Sequence, residues 1–449
     1  MSKESKAYKD LPKKVYIRTF GCQMNVRDSE FVMGVLLEND FKKAGSINDA
    51  DVILFNSCSV REHAEDRLFS NIADLGRLKK KNPDLVIGLI GCTAQNHKEG
   101  VLKKVPAIDF VCGPGNETDI PEILKDILEN RCSIIATDKV NKKRPELFPK
   151  YRNVGFKALV SIGEGCDNFC SYCIVPYVRG RERSRDAKDI IREVKDLAGR
   201  GFKEITLLGQ NVNSYKARKG KDFVRLLQEI NGLKGIERIR FMTSHPKDAS
   251  VELFKVMRDL DKVCEHLHLP IQSGSTRVLR LMNRGYSRDK YLKLADCYKK
   301  LLPEGTITTD IIVGFPSEKE KDFKKTYRLM KEVEFDSAFM FKYSPRPPAK
   351  SIKLKDDVPG EVKQGRLEAL LGLQCKISQK RNEAMEGKML EVLVDGYDEK
   401  SPYKFTGRTR TNKIVVSRGD EGLIGKFVRV NIVSSTPHAL IGEIVDDKK

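Results

Sequence analysis

The chain has 449 residues, more than a single compact core usually holds, so two or three domains are expected. Hydrophobic residues make up 40% and charged residues 33%, and the longest apolar runs have strand length, which excludes a membrane-spanning helix. The start is polar and lysine-rich without a signal peptide, which predicts a cytoplasmic protein. A net charge of +20 fits either a solvated lysine-rich surface or a nucleic-acid-binding protein.

The first predicted domain, residues 1–140, alternates strand and helix patterns. Short apolar runs that end in turns and are separated by amphipathic helices favour a doubly wound parallel sheet. A charged stretch with two prolines, residues 141–154, is typical of a linker. The predicted strands are "KVYIRTFGC", "DADVILFNSC", "DLVIGLIGC" and "AIDFVCGPG", and the helices between them include "DSEFVMGVLLEND" and "HAEDRLFSNIADLGRLKKK".

The second predicted domain, residues 155–378, contains six β/α units. Eight units are needed to close a full barrel, so six predict a partial, open barrel whose open side admits a large substrate. The six strand candidates are "FKALVSIGEGC", "EITLLGQNV", "RIRFMTS", "EHLHLPIQS", "TTDIIVGFP" and "DSAFMFKYSP".

The third predicted domain, residues 379–449, has short strands broken by glycine and charged turns. This pattern predicts a small all-β barrel of four or five strands. Between Lys400 and Arg429 the segment carries eight basic and two acidic residues. Both a purely structural barrel and an RNA-binding barrel fit this composition.

Eleven cysteines in a cytoplasmic chain favour metal or catalytic use over disulfides. Cys166, Cys170 and Cys173 follow the first strand of the second domain in a Cys-x-x-x-Cys-x-x-Cys spacing. Structural zinc normally takes four ligands, so zinc needs a fourth donor from elsewhere. A [4Fe–4S] cluster held by three thiolates instead leaves one iron open to a small molecule.

Three further cysteines, Cys22, Cys58 and Cys92, each end one of the first three predicted strands. Strand carboxyl ends in a doubly wound sheet gather along one edge, where ligands bind. Single cysteines at such ends are often small buried residues, whereas three equivalent ones predict a second three-cysteine cluster. Packing roles are expected for the other cysteines, which are Cys112, Cys132, Cys264, Cys297 and Cys375.

The cysteine triplet before a six-unit β/α segment resembles the radical S-adenosylmethionine enzymes. Two such triplets followed by a basic β-barrel resemble the methylthiotransferases, whose last domain is the RNA-binding TRAM domain. The matching stretches are "GCQMN", "GCTAQ", "EGCDNFCSYCIVPYVRGRERSR", "LLGQNVNSY", "HLPIQSGS" and "DIIVGFPSE".

Within this family, "LLGQNVNSY" and "TFGCQMNVRDSE" are most similar to the branch that adds a methylthio group to C2 of N6-dimethylallyladenosine beside the tRNA anticodon. The resemblance implies two [4Fe–4S] clusters, one of them auxiliary, and S-adenosylmethionine as cofactors. It implies as partners the tRNA anticodon stem-loop and an electron donor such as a flavodoxin or ferredoxin, with no membrane. A monomer is expected because the sequence has no coiled-coil or dimerisation pattern.

Three alternatives stay open. Sister branches modify threonylcarbamoyladenosine in tRNA or an aspartate of a ribosomal protein. A zinc-stabilised RNA-binding protein without catalysis is the third alternative.

The resemblance assigns cluster ligation to the two cysteine triplets, while strand-end positions predict further contacts. Tyr172 either lies against the cofactor adenine or shields the cluster, and Ser244 either contacts the cofactor or caps a helix. The segment 179–185 is either a solvated helix start or a phosphate-binding stretch. Candidate cofactor-binding residues are Tyr172, Gln210, Asn211, Ser244, His245, Gln272, Ser273, Asp310 and Gly314. Candidate RNA-binding residues are Arg179, Arg181, Arg183, Arg408, Arg410 and Lys413.

Overall fold

The computed structural model describes residues 13–59, 62–130, 132–138, 148–217 and 220–445. Outside these ranges lie residues 1–12 and 139–140 of the predicted first domain, residues 141–147 of the predicted linker and residues 446–449 of the predicted third domain. The chain divides into two compact units. The first contains Met1–Asn153, Gly163–Asp167 and Cys173–Arg183, and the second contains Val154–Ile162, Asn168–Tyr172 and Ser184–Lys449.

The first unit contains the predicted parallel sheet, with strand order β2-β1-β3-β4-β5-β6. Along β3, Val52 and Leu54 pack into one apolar core while Ile53 and Phe55 pack into another, so both faces of the sheet are covered. Its strands are β1 Lys14–Phe20, β2 Lys42–Lys43, β3 Val52–Ser57, β4 Val86–Ile90, β5 Phe110–Cys112 and β6 Ile134–Ala136. Its helices are α1 Gln23–Leu37, α2 Glu62–Lys81, α3 Cys92–His97, α4 Gly100–Lys104 and α5 Ile120–Asn130.

The second unit contains the partial barrel with all six predicted strands. Two parallel three-stranded ladders, β11-β10-β7 and β12-β13-β14, are joined by a parallel bridge between Ile239 and Val263. The strands are β7 Lys157–Ser161, β10 Glu204–Leu208, β11 Arg238–Phe241, β12 His266–His268, β13 Thr306–Val313 and β14 Ser337–Lys342. Between β7 and β10 lie the short elements β8 Gly163–Glu164, α6 Val175–Val178 and β9 Arg183–Ser184.

Amphipathic helices connect the barrel strands. In α7, Ile190, Val194 and Leu197 form the buried face, and the Asp186 side chain caps the helix by accepting a hydrogen bond from the backbone N–H of Lys188. The helices of this unit are α7 Ala187–Gly199, α8 Phe223–Asn231, α9 Val251–Asp259, α10 Thr276–Leu281, α11 Arg288–Leu301, α12 Glu320–Val333 and α13 Gly360–Glu383. None of the helices described is long and apolar enough to cross a bilayer.

The predicted small β-barrel is closed and has five strands in the order β15-β16-β17-β19-β18. All neighbours are antiparallel except β17 and β19, which are parallel. Its interior is filled by apolar side chains that include Val392, Phe405 and Val430. The strands are β15 Met389–Tyr397, β16 Phe405–Thr409, β17 Ile414–Ser417, β18 Phe427–Ser435 and β19 Leu440–Ile444.

The turn between β16 and β17 packs against the amino-terminal ends of the partial-barrel strands. The buried Arg240 guanidinium donates to the carbonyls of Thr409 at 2.7 Å and Arg410 at 2.8 Å, and to the Glu204 carboxylate at 2.9 Å. The Thr306 hydroxyl donates to the carbonyl of Thr411 at 2.7 Å. The small barrel is therefore fixed at the end of the partial barrel opposite to the strand carboxyl ends.

Candidate active site

The three N-terminal cysteines lie at the carboxyl ends of neighbouring strands, as predicted. Cys22 follows β1 as the N-cap residue of α1, Cys58 directly follows β3, and Cys92 opens α3 just after β4. Because β1, β3 and β4 are adjacent in the sheet, the three thiols share one sheet edge.

Two glycines let the backbone approach closely at this edge. Gly21 and Gly91 precede Cys22 and Cys92 with φ values of +133° and +85°. A Cβ added at Gly21 would lie 2.4 Å from the Cβ of Cys58. Each glycine therefore meets a conformational and a packing requirement that a larger residue cannot meet without strain.

An asparagine pair holds the first two of these strand ends together. Asn25 Nδ2 donates to Asn56 Oδ1 at 2.8 Å, and Asn56 Nδ2 donates to the carbonyl of Asn25 at 2.9 Å. The Cys22 thiol donates to Asn25 Oδ1 at 3.2 Å. Neither asparagine was predicted from the sequence, although Asn25 ends the "GCQMN" stretch and Asn56 lies in "FNSC".

A buried arginine lies beside the third cysteine. Arg179 is 3% exposed, and its Nε donates to Cys92 Sγ at 3.2 Å while its Nη2 donates to Asp28 Oδ2 at 2.6 Å. Burial disfavours the charged guanidinium, but Asp28, followed by Cys92 and Cys22, raises the pKa of Arg179 well above its ordinary value. A permanent positive charge therefore lies within the cysteine site.

The thiols respond differently to this environment. A hydrogen bond with Cys58, opposed by desolvation and assisted by the Arg179 charge, lowers the pKa of Cys22 to about 6. Burial raises the pKa of Cys92, with Arg179 opposing that effect. Since the thiolate is the form that binds metal, the lowered pKa of Cys22 would favour ligation, and the Arg179 charge would stabilise a thiolate at Cys92.

The donor set at this edge fits an iron–sulfur cluster. Three cysteines supply thiolates, and the Ser57 and Thr93 hydroxyls beside Cys58 and Cys92 are buried without a hydrogen-bond partner among the described residues. Hydrogen-bond donors around cluster sulfurs are typical of such sites. Within the ranges described, no group of three or more His, Cys, Asp or Glu side chains is arranged to hold a metal ion.

The cysteines of the second triplet lie in the segment that follows β7. Cys166 is buried, and its backbone N–H donates to the carbonyl of Gly180 at 3.2 Å. Cys170 is also buried, and Arg284 Nη1 lies 3.4 Å from its sulfur. The Arg284 guanidinium further contacts the Tyr172 hydroxyl at 3.3 Å and the carbonyl of Pro270 at 2.8 Å. No sequence pattern pointed to Arg284.

Most predicted cofactor-binding residues lie at carboxyl ends of the barrel strands. Three of them carry a buried polar atom that has no hydrogen-bond partner among the described residues: Ser244 Oγ, His245 Nε2 and Gln272 Oε1. Ser244 is not a helix cap, because Ser250 caps the next helix. Such atoms fit a polar cofactor in contact with the strand ends.

Among the other members of this set, Asn211, Asp310 and Ser273 have internal partners. Asn211 Nδ2 donates to Asp248 at 2.7 Å, and its Oδ1 accepts from the backbone N–H of His245 at 3.1 Å. Asp310 lies within β13 and 3.4 Å from His268 Nε2. Ser273 Oγ accepts from the N–H of Ser275. Gln210 follows β10, and Gly314 follows β13 with a φ of +68°.

His245 is neutral in this environment. Burial, followed by the charges of Arg284, Lys247 and Lys290, lowers the pKa of His245 to about 2. Its Nδ1 accepts a hydrogen bond from the backbone N–H of Lys247 at 3.1 Å. Its Nε2 therefore carries the proton and is a donor for a bound group.

The predicted RNA-binding residues divide into two groups. The burial of Arg179 does not fit a phosphate contact at the surface. Arg410 forms a bidentate ion pair with Glu265, and Lys413 Nζ donates to Asp336 at 3.1 Å, so both side chains hold the β16–β17 turn in place.

The other three predicted RNA-binding residues are more exposed. Arg181 is exposed and pairs with Asp167. The partly exposed Arg183 lies 3.8 Å from Glu164, and the partly exposed Arg408 lies 3.9 Å from Asp395.

The other cysteines only partly meet their predicted packing role. Cys112 and Cys264 are buried and Cys297 is half-buried. Cys132 and Cys375 are exposed, which corrects the prediction for these two residues.

Comparisons with known proteins match all three parts of the chain. Residues 160–330 match the radical SAM superfamily, residues 14–113 match the uncharacterized protein family UPF0004, and residues 383–445 match the TRAM domain. Among solved structures, the radical S-adenosylmethionine methyltransferase TsrM from Kitasatospora setae has a TM-score of 0.53 and 13% identity, with 73% of this chain and 72% of that chain covered. Since this identity is low, the likeness supports the fold alone. The matches and the partial barrel identify a radical SAM enzyme with a TRAM domain.

Curated relatives define the family more closely. A tRNA-2-methylthio-N(6)-dimethylallyladenosine synthase of Thermoanaerobacter sp. (strain X514) is 48% identical over 435 residues, covering 96% of this chain and 92% of the relative. A synthase of the same name from Caldicellulosiruptor saccharolyticus is 47% identical over 441 residues, covering 96% and 93%. The chain belongs to the tRNA-2-methylthio-N(6)-dimethylallyladenosine synthase family.

Proposed function

We propose that the protein adds a methylthio group to C2 of N6-dimethylallyladenosine beside the anticodon of tRNA. The observation that carries this proposal is the identity of 46–48% to curated synthases over 95–97% of the chain. The TRAM-type barrel supports an RNA substrate.

The two cysteine triplets are the proposed ligands of two [4Fe–4S] clusters. Cys166, Cys170 and Cys173 would hold the cluster that binds S-adenosylmethionine, and Cys22, Cys58 and Cys92 would hold the auxiliary cluster. When bound, these groups supply the radical that breaks an aromatic C–H bond and the sulfur that replaces the hydrogen.

The protein's own side chains bind and orient these groups. Neutral His245 and the Ser244 and Gln272 side chains provide polar atoms for S-adenosylmethionine at the strand ends. The remaining predicted positions, Tyr172, Gln210, Asn211, Ser273, Asp310 and Gly314, complete the proposed cofactor site. Arg284 keeps a buried positive charge beside Cys170.

The proposed partners follow from the reaction. A flavodoxin- or ferredoxin-type protein supplies electrons, and the enzyme acts as a cytoplasmic monomer. Arg181, Arg183 and Arg408 are the proposed phosphate contacts, because Arg179, Arg410 and Lys413 have the internal roles described above.

The proposal is tested by expressing the protein in a bacterial strain that lacks its own synthase and analysing tRNA nucleosides by mass spectrometry. We expect 2-methylthio-N6-dimethylallyladenosine with the native chain and unmodified N6-dimethylallyladenosine with Cys92→Ala or Cys166→Ala. Cys375→Ala, which replaces an exposed cysteine outside both triplets, should retain activity. Methylthiolation of threonylcarbamoyladenosine alone, or of a ribosomal protein alone, would refute the proposed substrate.

A further inference from the structure

Arg179 follows the second cysteine triplet in the sequence and contacts a cysteine of the first. It follows Cys173 by six residues (179 − 173) in the stretch "VRGRERSR". The segment Cys173–Arg183 belongs to the first compact unit, and Ile174 and Val178 pack against Cys92 in a small apolar cluster. The loop that carries one cysteine triplet therefore also shields a cysteine of the other.

The guanidinium of Arg179 uses only two of its three nitrogens within the described part of the chain. Nη2 is anchored by Asp28, and Nε points at Cys92 Sγ. Nη1 is buried and has no hydrogen-bond partner among the described residues. An unpaired buried donor on a charged group destabilises the folded protein, because the group has lost its hydration. The position of Nη1 beside a thiol therefore indicates an anionic acceptor at this site.

We propose that Arg179 is a positioning residue for the auxiliary cluster. It donates a charged hydrogen bond to the Cys92 thiolate and offers Nη1 to an anionic sulfur of the bound cluster, while Asp28 fixes the orientation of the guanidinium. This inference rests on the proposed function, of which the auxiliary cluster is a part. Net charge and hydrogen bonds to the sulfurs set the reduction potential of an iron–sulfur cluster, so Arg179 raises the reduction potential of this cluster.

The test isolates the auxiliary cluster. In the full-length chain, Cys166, Cys170 and Cys173 are all changed to alanine, and the anaerobically reconstituted protein is titrated with dithionite while electron paramagnetic resonance spectra are recorded. Arg179→Gln removes the charge, and Arg179→Lys keeps the charge but lacks the planar, fork-shaped donor geometry of a guanidinium. The control is Arg192→Gln, which changes an exposed arginine paired with Asp189 on α7.

We expect Arg179→Gln to shift the midpoint potential to more negative values and to change the spectrum, with a smaller shift for Arg179→Lys and none for Arg192→Gln. Loss of iron from Arg179→Gln in a chain that keeps its thermal unfolding transition also supports the inference. A potential and spectrum equal to those of Arg192→Gln would overturn it. If Arg179→Gln does not fold, an unchanged potential in Arg179→Lys overturns it instead. A chain with Arg179 intact that binds no cluster would refute the auxiliary cluster itself, and the inference would fall with it.

Discussion

Gly91 illustrates how single residues build the N-terminal cysteine site. Its φ of +85° suits glycine, and an added Cβ would lie 2.3 Å from Asn56 Oδ1, the atom that accepts the hydrogen bond from Asn25. The sequence predicted the three cysteines from their place at strand ends. It did not predict Asn25 or Asn56, and it assigned Arg179 to RNA binding, because their contacts depend on the way separate segments fold together.

Gly91→Ala should therefore disrupt the auxiliary site while the rest of the chain folds. We expect the iron content after anaerobic reconstitution to fall from about eight toward about four per chain. Gly45→Ala is the matched control, since a Cβ at Gly45 would meet no atom within 4 Å. An unchanged iron content in Gly91→Ala would show that this close approach is not required.

Gln272→Ala tests the proposed cofactor site. Its Oε1 is buried without a partner among the described residues, so its removal should weaken S-adenosylmethionine binding by about tenfold. Isothermal titration calorimetry on the reconstituted protein measures this change. Gln228→Ala, on the exposed side of α8, should bind as the native chain does. Equal affinity for both variants would place the cofactor elsewhere.

His245 predicts a pH dependence of stability. The pKa of His245 is lowered to about 2 in the folded protein. Below the ordinary histidine pKa, the unfolded chain therefore binds a proton at this residue and the folded chain does not. The contribution of this residue to the free energy of unfolding is fully present above about pH 6.5. As the pH falls below that value, this contribution decreases by up to ~1.4 kcal/mol per pH unit.

His245→Asn should reduce that slope between about pH 5 and about pH 6.5. Urea unfolding at several pH values measures it, and exposed His438→Asn serves as the control. A slope identical in the native chain and His245→Asn would show that His245 titrates alike in the folded and unfolded chains.

The β16–β17 turn shows where prediction at the level of elements stops. The strands and the closed barrel follow from alternating apolar residues and turn residues, and all six strands of the partial barrel were predicted in the same way. The edge strands β2 and β6 were missed because two or three residues carry no usable periodicity. The direction in which Arg410 and Lys413 point is decided by Glu265 and Asp336, which no local pattern reveals.

Arg240→Met tests the docking of this turn. It removes hydrogen bonds to two turn carbonyls and leaves the buried Glu204 without its nearest cation, so we expect a loss of about 3 kcal/mol in unfolding free energy. Arg429→Met changes an exposed arginine on β18 and should stay within about 0.5 kcal/mol of the native chain. Urea denaturation compares the two variants. Equal stability would mean that the turn is not held by Arg240.

For the whole molecule, the family and the three-part organisation could be predicted from the sequence, while the ligand roles of both cysteine triplets stay predictions. The order of domains could be predicted because a charged stretch with two prolines separates the first two, and the third changes from a β/α pattern to an all-β pattern. Three of the six predicted RNA contacts, Arg179, Arg410 and Lys413, form internal ion pairs. These pairs became visible only in the structure, because surface and interior basic residues look alike in a sequence.

Iron stoichiometry decides whether each cysteine triplet holds a cluster. Protein reconstituted with iron and sulfide under anaerobic conditions should hold about eight irons per chain, about four after replacement of either cysteine triplet by alanine, and almost none after replacement of both. A native chain with about four irons, or one whose iron content is unaffected by loss of Cys22, Cys58 and Cys92, would contradict the account.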